Sequence, residues 1–219
     1  MHLTPQEADA VEARIARVEA GSGVDVVTAV VGRSDAYPEV VWKAFALGVA
    51  LGALVVVGLD LARPDWVTAH STWLGVVPML AAGLLSMVVA MTVPEYARRF
   101  LDGVRQADEV RQCAQAMFLE RRLFRTRSRC GVLILASLFE RRVEIVADIG
   151  FDGRVDAAQW RTLVDAMEPE LAHARPALAF LRALDRLEAL LAERGFERER
   201  GATRQGELPD RPVDVDGAR

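Results

Sequence analysis

The stretch Cys130-Gly131-Val132-Leu133-Ile134-Leu135-Ala136-Ser137-Leu138-Phe139-Glu140-Arg141-Arg142-Val143-Glu144-Ile145-Val146-Ala147-Asp148 decides the architecture. Residues 132–138 form an apolar run of strand length, which predicts a strand buried on both faces. Phe139-Glu140-Arg141 leaves room only for a tight reversal, so the next strand, 142–148, lies antiparallel to it. That strand alternates Val143, Ile145 and Ala147 against Arg142, Glu144 and Asp148. Upstream, residues 23–31 are rich in β-branched side chains and read as another buried strand, stopped by Gly32-Arg33-Ser34-Asp35.

Between the two buried strands the pattern at about 102–127 is that of an amphipathic helix. Ala107, Val110, Ala114, Met117, Phe118 and Phe124 fall along one face. Two buried strands joined through a helix favour a parallel pair. Thr4-Pro5-Gln6-Glu7 is a capping box opening a first helix through Ala8, Val11, Ile15 and Val18, closed by Gly21. Asp156 reads as the cap of a helix carrying Trp160, Leu163, Val164 and Met167. Pro176 opens the last helix, with Phe180, Leu181, Leu184, Leu187, Leu190 and Leu191 inside. The expected fold is a single α/β sandwich with a small mixed sheet.

That sandwich is interrupted. Residues 44–59 and 71–94 contain no charged side chain, and the apolar segments 42–62 and 72–93 each reach the roughly 20 residues that span a hydrocarbon core as helix. Arg63-Pro64-Asp65 makes the turn of a transmembrane hairpin, and Trp42, Trp66, Trp73 and Tyr96 bracket its spans as interfacial aromatics do. Ala44, Gly48 and Gly52 in one span and Ala82, Ser86 and Ala90 in the other recur every fourth residue. Such small residues let two helices pack closely, so the two stripes are expected to face each other. Pro78 is a candidate kink. Asp60 lies at a span end, where water solvates it. The expected organisation is residues 4–37 as the first part of the α/β domain, 42–93 as the hairpin, 98–194 as the rest of the domain, and 195–219 as a charged tail with little structure of its own.

Composition narrows the function. The chain has 219 residues, 52% of them hydrophobic, and a net charge of −4, which gives no footing for nucleic acid. Cys113 and Cys130 stand alone, with no metal-ligand spacing and no expected disulfide. The first twenty residues lack the apolar run of a signal peptide. Arg33, Lys43, Arg98, Arg99 and Arg105 flank the hairpin, whereas its loop holds only Arg63. That asymmetry predicts a multi-pass protein of the cell (inner) membrane with both termini and the domain cytoplasmic. Arg98, Arg99 and Arg105 can set topology and also meet anionic headgroups.

The best candidate for chemistry is Asp148, Asp152 and Asp156, three carboxylates within nine residues and interleaved with Gly150 and Gly153. Hard oxygen ligands of this kind suit Ca²⁺ or Mg²⁺. The alternative is a strand end, a turn former and a helix cap. Arg33, Ser34 and Asp35 could join them if they share an end of the sheet. Glu140, Arg141, Arg142 and Glu144 suggest cross-strand charge pairs. His2, His70 and His173 match no nucleophilic or metal arrangement.

Residues 125–150, with the 23–31 strand and Arg33-Ser34-Asp35, resemble the TPM domain family, in a bacterial membrane-protein branch with an inserted hairpin. The resemblance covers most of 4–192 outside the hairpin. It implies an α/β sandwich, with acid-phosphatase activity or photosystem repair described for some plant members. Where many members carry Asp-Asn-Gly before the second strand as part of an acidic cation site, this chain has Arg129-Cys130-Gly131. Only the glycine is kept, which argues against catalysis. The expected role is therefore non-enzymatic: interaction, assembly or quality control at a bilayer, with a protein partner or a second copy. A divalent-cation-dependent phosphatase is the alternative.

Overall fold

The computed structural model describes residues 2–62, 71–126, 128–197 and 210–217. The chain divides into two units, one made of 1–35 with 106–219 and the other of 36–105. Trp66, His70 and the Arg63-Pro64-Asp65 turn lie outside the described residues.

In the first unit, four strands form a mixed sheet in the order β3-β2-β1-β4. β1 (Asp25–Val31) and β2 (Gly131–Ser137) pair in parallel, and β3 (Arg142–Ala147) runs antiparallel to β2. The strand period sends alternate side chains to opposite faces. Val26, Val30, Val132, Ile134 and Ala136 point into one core cluster, shared with α1 (Pro5–Ser22), α6 (Ala157–Ala172) and α7 (Pro176–Glu193). Val27, Ala29, Val31, Leu133 and Leu135 point into the other, closed by Val110, Ala114, Met117 and Phe118 of α5 (Gly103–Glu120). A sheet apolar on both faces must be covered on both, and the result is a three-layer α/β/α sandwich.

The helix ends follow their chemistry. Thr4 and Glu7 form the capping box of α1, Asp156 and Gln159 that of α6, and Pro176 sits in the first turn of α7. α5 stops seven residues short of its expected end. Arg122 takes a left-handed conformation (φ 57°), and Leu123–Arg125 form a 3₁₀ turn that drives Leu123 into the core. Gly131 accepts this turn because a Cβ there would lie 2.5 Å from the Leu123 carbonyl oxygen. The expectation for the 195–219 tail fails at its far part, since β4 (Val213–Val215) adds to β1 in parallel. A three-residue strand carries no periodicity of its own, so only the edge it docks on reveals it.

The second unit is a helical hairpin. α2 (Pro38–Ala62) and α3 (Ser71–Thr92) are followed by the short α4 (Pro94–Arg98). α3 is one helix through Pro78. Gly48 and Gly52 meet Ala82 and Ser86 at the α2–α3 contact: a Cβ on Gly48 would lie 2.5 Å from the Ala82 carbonyl oxygen and 2.7 Å from Ser86 Cβ. Ser86 Oγ donates to the Ala44 carbonyl at 2.6 Å and shares a 2.8 Å hydrogen bond with the Tyr96 hydroxyl. Away from this seam the side chains face outward, among them Trp42, Leu51, Leu54, Leu61, Trp73 and Leu85. Both helices are long and apolar enough to cross a membrane, and only 11% of each apolar window is buried.

Candidate functional site

Asp148 directly follows β3 and is nearly buried, with 4% of its side chain exposed. Its carboxylate accepts from the Ile149 N–H at 2.8 Å, capping the 3₁₀ turn Ile149–Phe151. It also accepts from Arg129 Nε at 2.9 Å and Nη2 at 3.2 Å, a two-pronged grip that suits a planar guanidinium. The local backbone makes the grip possible. Arg129 lies at φ 51°, and the Gly150 N–H donates to its carbonyl at 2.8 Å. Gly150 is needed here, because a Cβ would fall 2.4 Å from that carbonyl oxygen and 2.5 Å from Cys130 Sγ.

The other two aspartates have separate work. Asp152 lies in the exposed turn after the 3₁₀ segment, its N–H bonded to the Ile149 carbonyl at 3.0 Å. Asp156 Oδ1 accepts from the Gln159 N–H at 2.8 Å as the cap of α6. Among the described residues no group of three His, Cys, Asp or Glu is placed to hold a metal ion. Asp148, Asp152 and Asp156 thus occupy the strand end, turn and cap positions, and a cation at Asp148 would compete with Arg129.

Arg33, Ser34 and Asp35 do not join Asp148. Ala147 pairs with Val132 and Arg142 with Ser137, so Asp148 sits beside Gly131 at the amino ends of the parallel strands. The Arg33 loop follows their carboxyl ends, six strand residues away, or about 20 Å. There it meets a polar group that sequence reasoning did not assemble. Ser137 donates to Glu140, Ser34 Oγ donates to Ser137 Oγ at 3.1 Å, and the Ser34 N–H donates to Glu140 Oε1 at 3.0 Å. Ser137 and Glu140 are buried, and Arg33 stacks over Phe139 at 4.0 Å. The available signal was positional, since both loops leave the carboxyl ends of a parallel pair. Bonded to one another, these groups join two loops.

Of the charges expected to pair across strands, Glu144 and Arg142 reach a helix. Glu144 meets Arg111 of α5 at 3.5 Å, and Arg142 meets Gln106. With Trp160 and Arg161 of α6, these residues line a polar groove of about 640 Å³ beside β3. Burial raises the pKa of both thiols. Glu140 adds to the effect at Cys113, while at Cys130 a side-chain hydrogen bond from Ser128 works against it. In the hairpin unit, Arg98 pairs with Glu95 at 2.8 Å and Arg105 with Glu39 at 3.0 Å. Arg99 is the residue that follows α4.

A mixed sheet between helical layers, carrying an arginine-held aspartate at the end of its antiparallel strand, defines the class as a three-layer α/β domain with an inserted helical hairpin. Residues 86–190 match the model of the TPM domain family. The match is narrower than the resemblance over 4–192, and α1 and β1 lie before it. No curated protein matches the chain. The fold is similar to that in the NMR structure of the BA42 protein from the psychrophilic bacterium Bizionia argentinensis. The TM-score is 0.57 at 13% identity, with 97% of this chain and 94% of that chain covered.

Proposed function

We propose that the chain is an integral protein of the cell (inner) membrane that carries its TPM domain at the cytoplasmic surface, in a non-catalytic role of interaction, assembly or quality control. The observation that carries this reading is the apolar surface of α2 and α3, of which only 11% of each apolar window is buried. Core helices of a water-soluble domain bury such side chains, and an exposed apolar surface of this extent in water is an aggregation hazard. In hydrocarbon it is matched to its solvent, and the backbone polar groups are satisfied within the helices. The excess of Arg and Lys outside the hairpin supports the cytoplasmic orientation, and Arg98, Arg99 and Arg105 are suited to anionic headgroups.

The pairing of Arg129 with Asp148 supports the absence of catalysis. A guanidinium already neutralises the best-buried carboxylate of the candidate site, and a cation there would have to displace it. The rival, a Ca²⁺- or Mg²⁺-dependent phosphatase, requires Asp148 to be released from Arg129. A phosphatase assay on the full-length protein with either cation, comparing wild type with Asp148→Asn, separates the two. Background hydrolysis in both is the expected result. Cation-dependent turnover lost in Asp148→Asn would overturn the non-catalytic reading.

A further inference from the structure

β1 is an inner strand only because β4 lies beyond it. Ala29, Val30 and Val31 take Val213, Asp214 and Val215 as their parallel partners, and the Gly32 N–H donates to the Val215 carbonyl at 3.0 Å. The seat selects for sequence. Val213 packs on the core cluster beneath β1. One carboxylate oxygen of Asp214 receives the His2 N–H at 2.6 Å and the Leu3 N–H at 3.0 Å. Past the strand, Gly217 at φ 90° passes so close to Arg33 that a Cβ would lie 2.2 Å from its carbonyl oxygen.

The parts that receive the tail belong to α1's lead-in and to β1, so they exist without it. The hold is also shallow. Val215 is exposed, and Asp214 Oδ1 and His2 Nε2 are buried without a hydrogen-bond partner, which costs stability. A short edge strand with an unsatisfied buried acceptor opens well before the sheet does. Nineteen residues separate the end of α7 from the start of β4, a contour of up to about 65 Å.

We propose that the outer edge of β1, with the His2 and Leu3 N–H groups, is a docking site for an extended apolar–acidic–apolar segment. β4 fills it in cis, and the tail of a second copy fills it in trans by strand exchange. Strand addition to a sheet edge combines main-chain hydrogen bonds with pockets for alternate side chains, and the pocket at Val213 and the anion seat at Asp214 supply both. A second copy is the favoured occupant because its tail is the sequence already seen to fit, and exchange remakes every contact. The proposal gives a physical form to the interaction role above and rests on that role only for its purpose.

The test uses the full-length protein in detergent micelles and a fluorescent peptide of residues 210–217. The peptide should bind the Asp214→Ala chain about tenfold more tightly than wild type, whose own tail competes at high effective concentration. A peptide carrying Asp214→Ala should bind at least tenfold more weakly. Light scattering should show wild-type dimers that excess peptide converts to monomers, a measurement that needs no variant protein. Equal peptide binding to both chains, or binding indifferent to the peptide's own aspartate, would overturn the docking site. Peptide binding with wild type monomeric throughout would overturn the second copy as occupant and leave another chain bearing the same triplet. Neither result bears on membrane extraction or phosphatase activity, so failure here is distinct from failure of the proposed function.

Discussion

α7 and α2 are both leucine-rich helices, and they treat their leucines in opposite ways. α7 buries Leu184, Leu187 and Leu191 in the core it shares with α1 and α6 and turns Arg182, Asp185 and Arg186 outward. α2 is apolar around its circumference and leaves Leu47, Leu51 and Leu54 exposed, burying small residues instead. Under the proposed membrane reading, the difference follows from the solvent around each helix. In water, association is driven by removing large apolar side chains from solvent. In lipid that drive is absent, and close packing at glycine and alanine replaces it.

Leucine truncation breaks the comparison most sharply. Leu187→Ala in α7 should cost about 2–5 kcal/mol of unfolding free energy by denaturant titration in detergent. Leu54→Ala in α2, at a side chain 70% exposed, should change stability by no more than about 0.5 kcal/mol. Equal losses at the two sites would mean that α2 is packed like a soluble core helix. Gly48→Val tests the opposite rule, since a larger residue there must push α3 away. A loss of about 1–3 kcal/mol in thermal unfolding is expected, where the same change on an outward-facing position would be silent.

Smaller effects probe the sheet unit alone. Asp148→Asn weakens the hold on Arg129, whose side chain is about half exposed. Screening there limits the loss to about 1–2 kcal/mol, read as a lower denaturation midpoint. The smallest effect concerns the thiols. Burial raises both cysteine pKa values in the folded protein, so folding favours the protonated forms. Stability from these groups is complete below the ordinary thiol pKa and falls as pH rises through and above it. Alkylation of folded protein at pH 8 should therefore lag well behind a free thiol and catch up only at higher pH.

Much of the fold was legible because its signals are local. The apolar run at 132–138, the three-residue reversal and the alternation at 142–148 determine two strands and their direction before any tertiary contact is known. Capping at Thr4 and Asp156 and the prolines at 5 and 176 mark helix starts for the same reason. The candidate site was less legible. Nothing in the spacing of Asp148, Asp152 and Asp156 tells that Arg129, nineteen positions upstream, folds over the first of them. Ser34, Ser137 and Glu140 are brought together only when β1 and β2 pair. β4 was hidden most completely, since three residues of a charged tail become a strand only by borrowing the edge of β1.

The central claim is that α2 and α3 face lipid. Extraction of native membranes with alkaline carbonate tests it most directly, because this treatment strips proteins held by charge or by partners and leaves integral ones behind. The account predicts that the full-length chain stays in the membrane pellet and is released only by detergent. Recovery of the chain in the carbonate supernatant would contradict it.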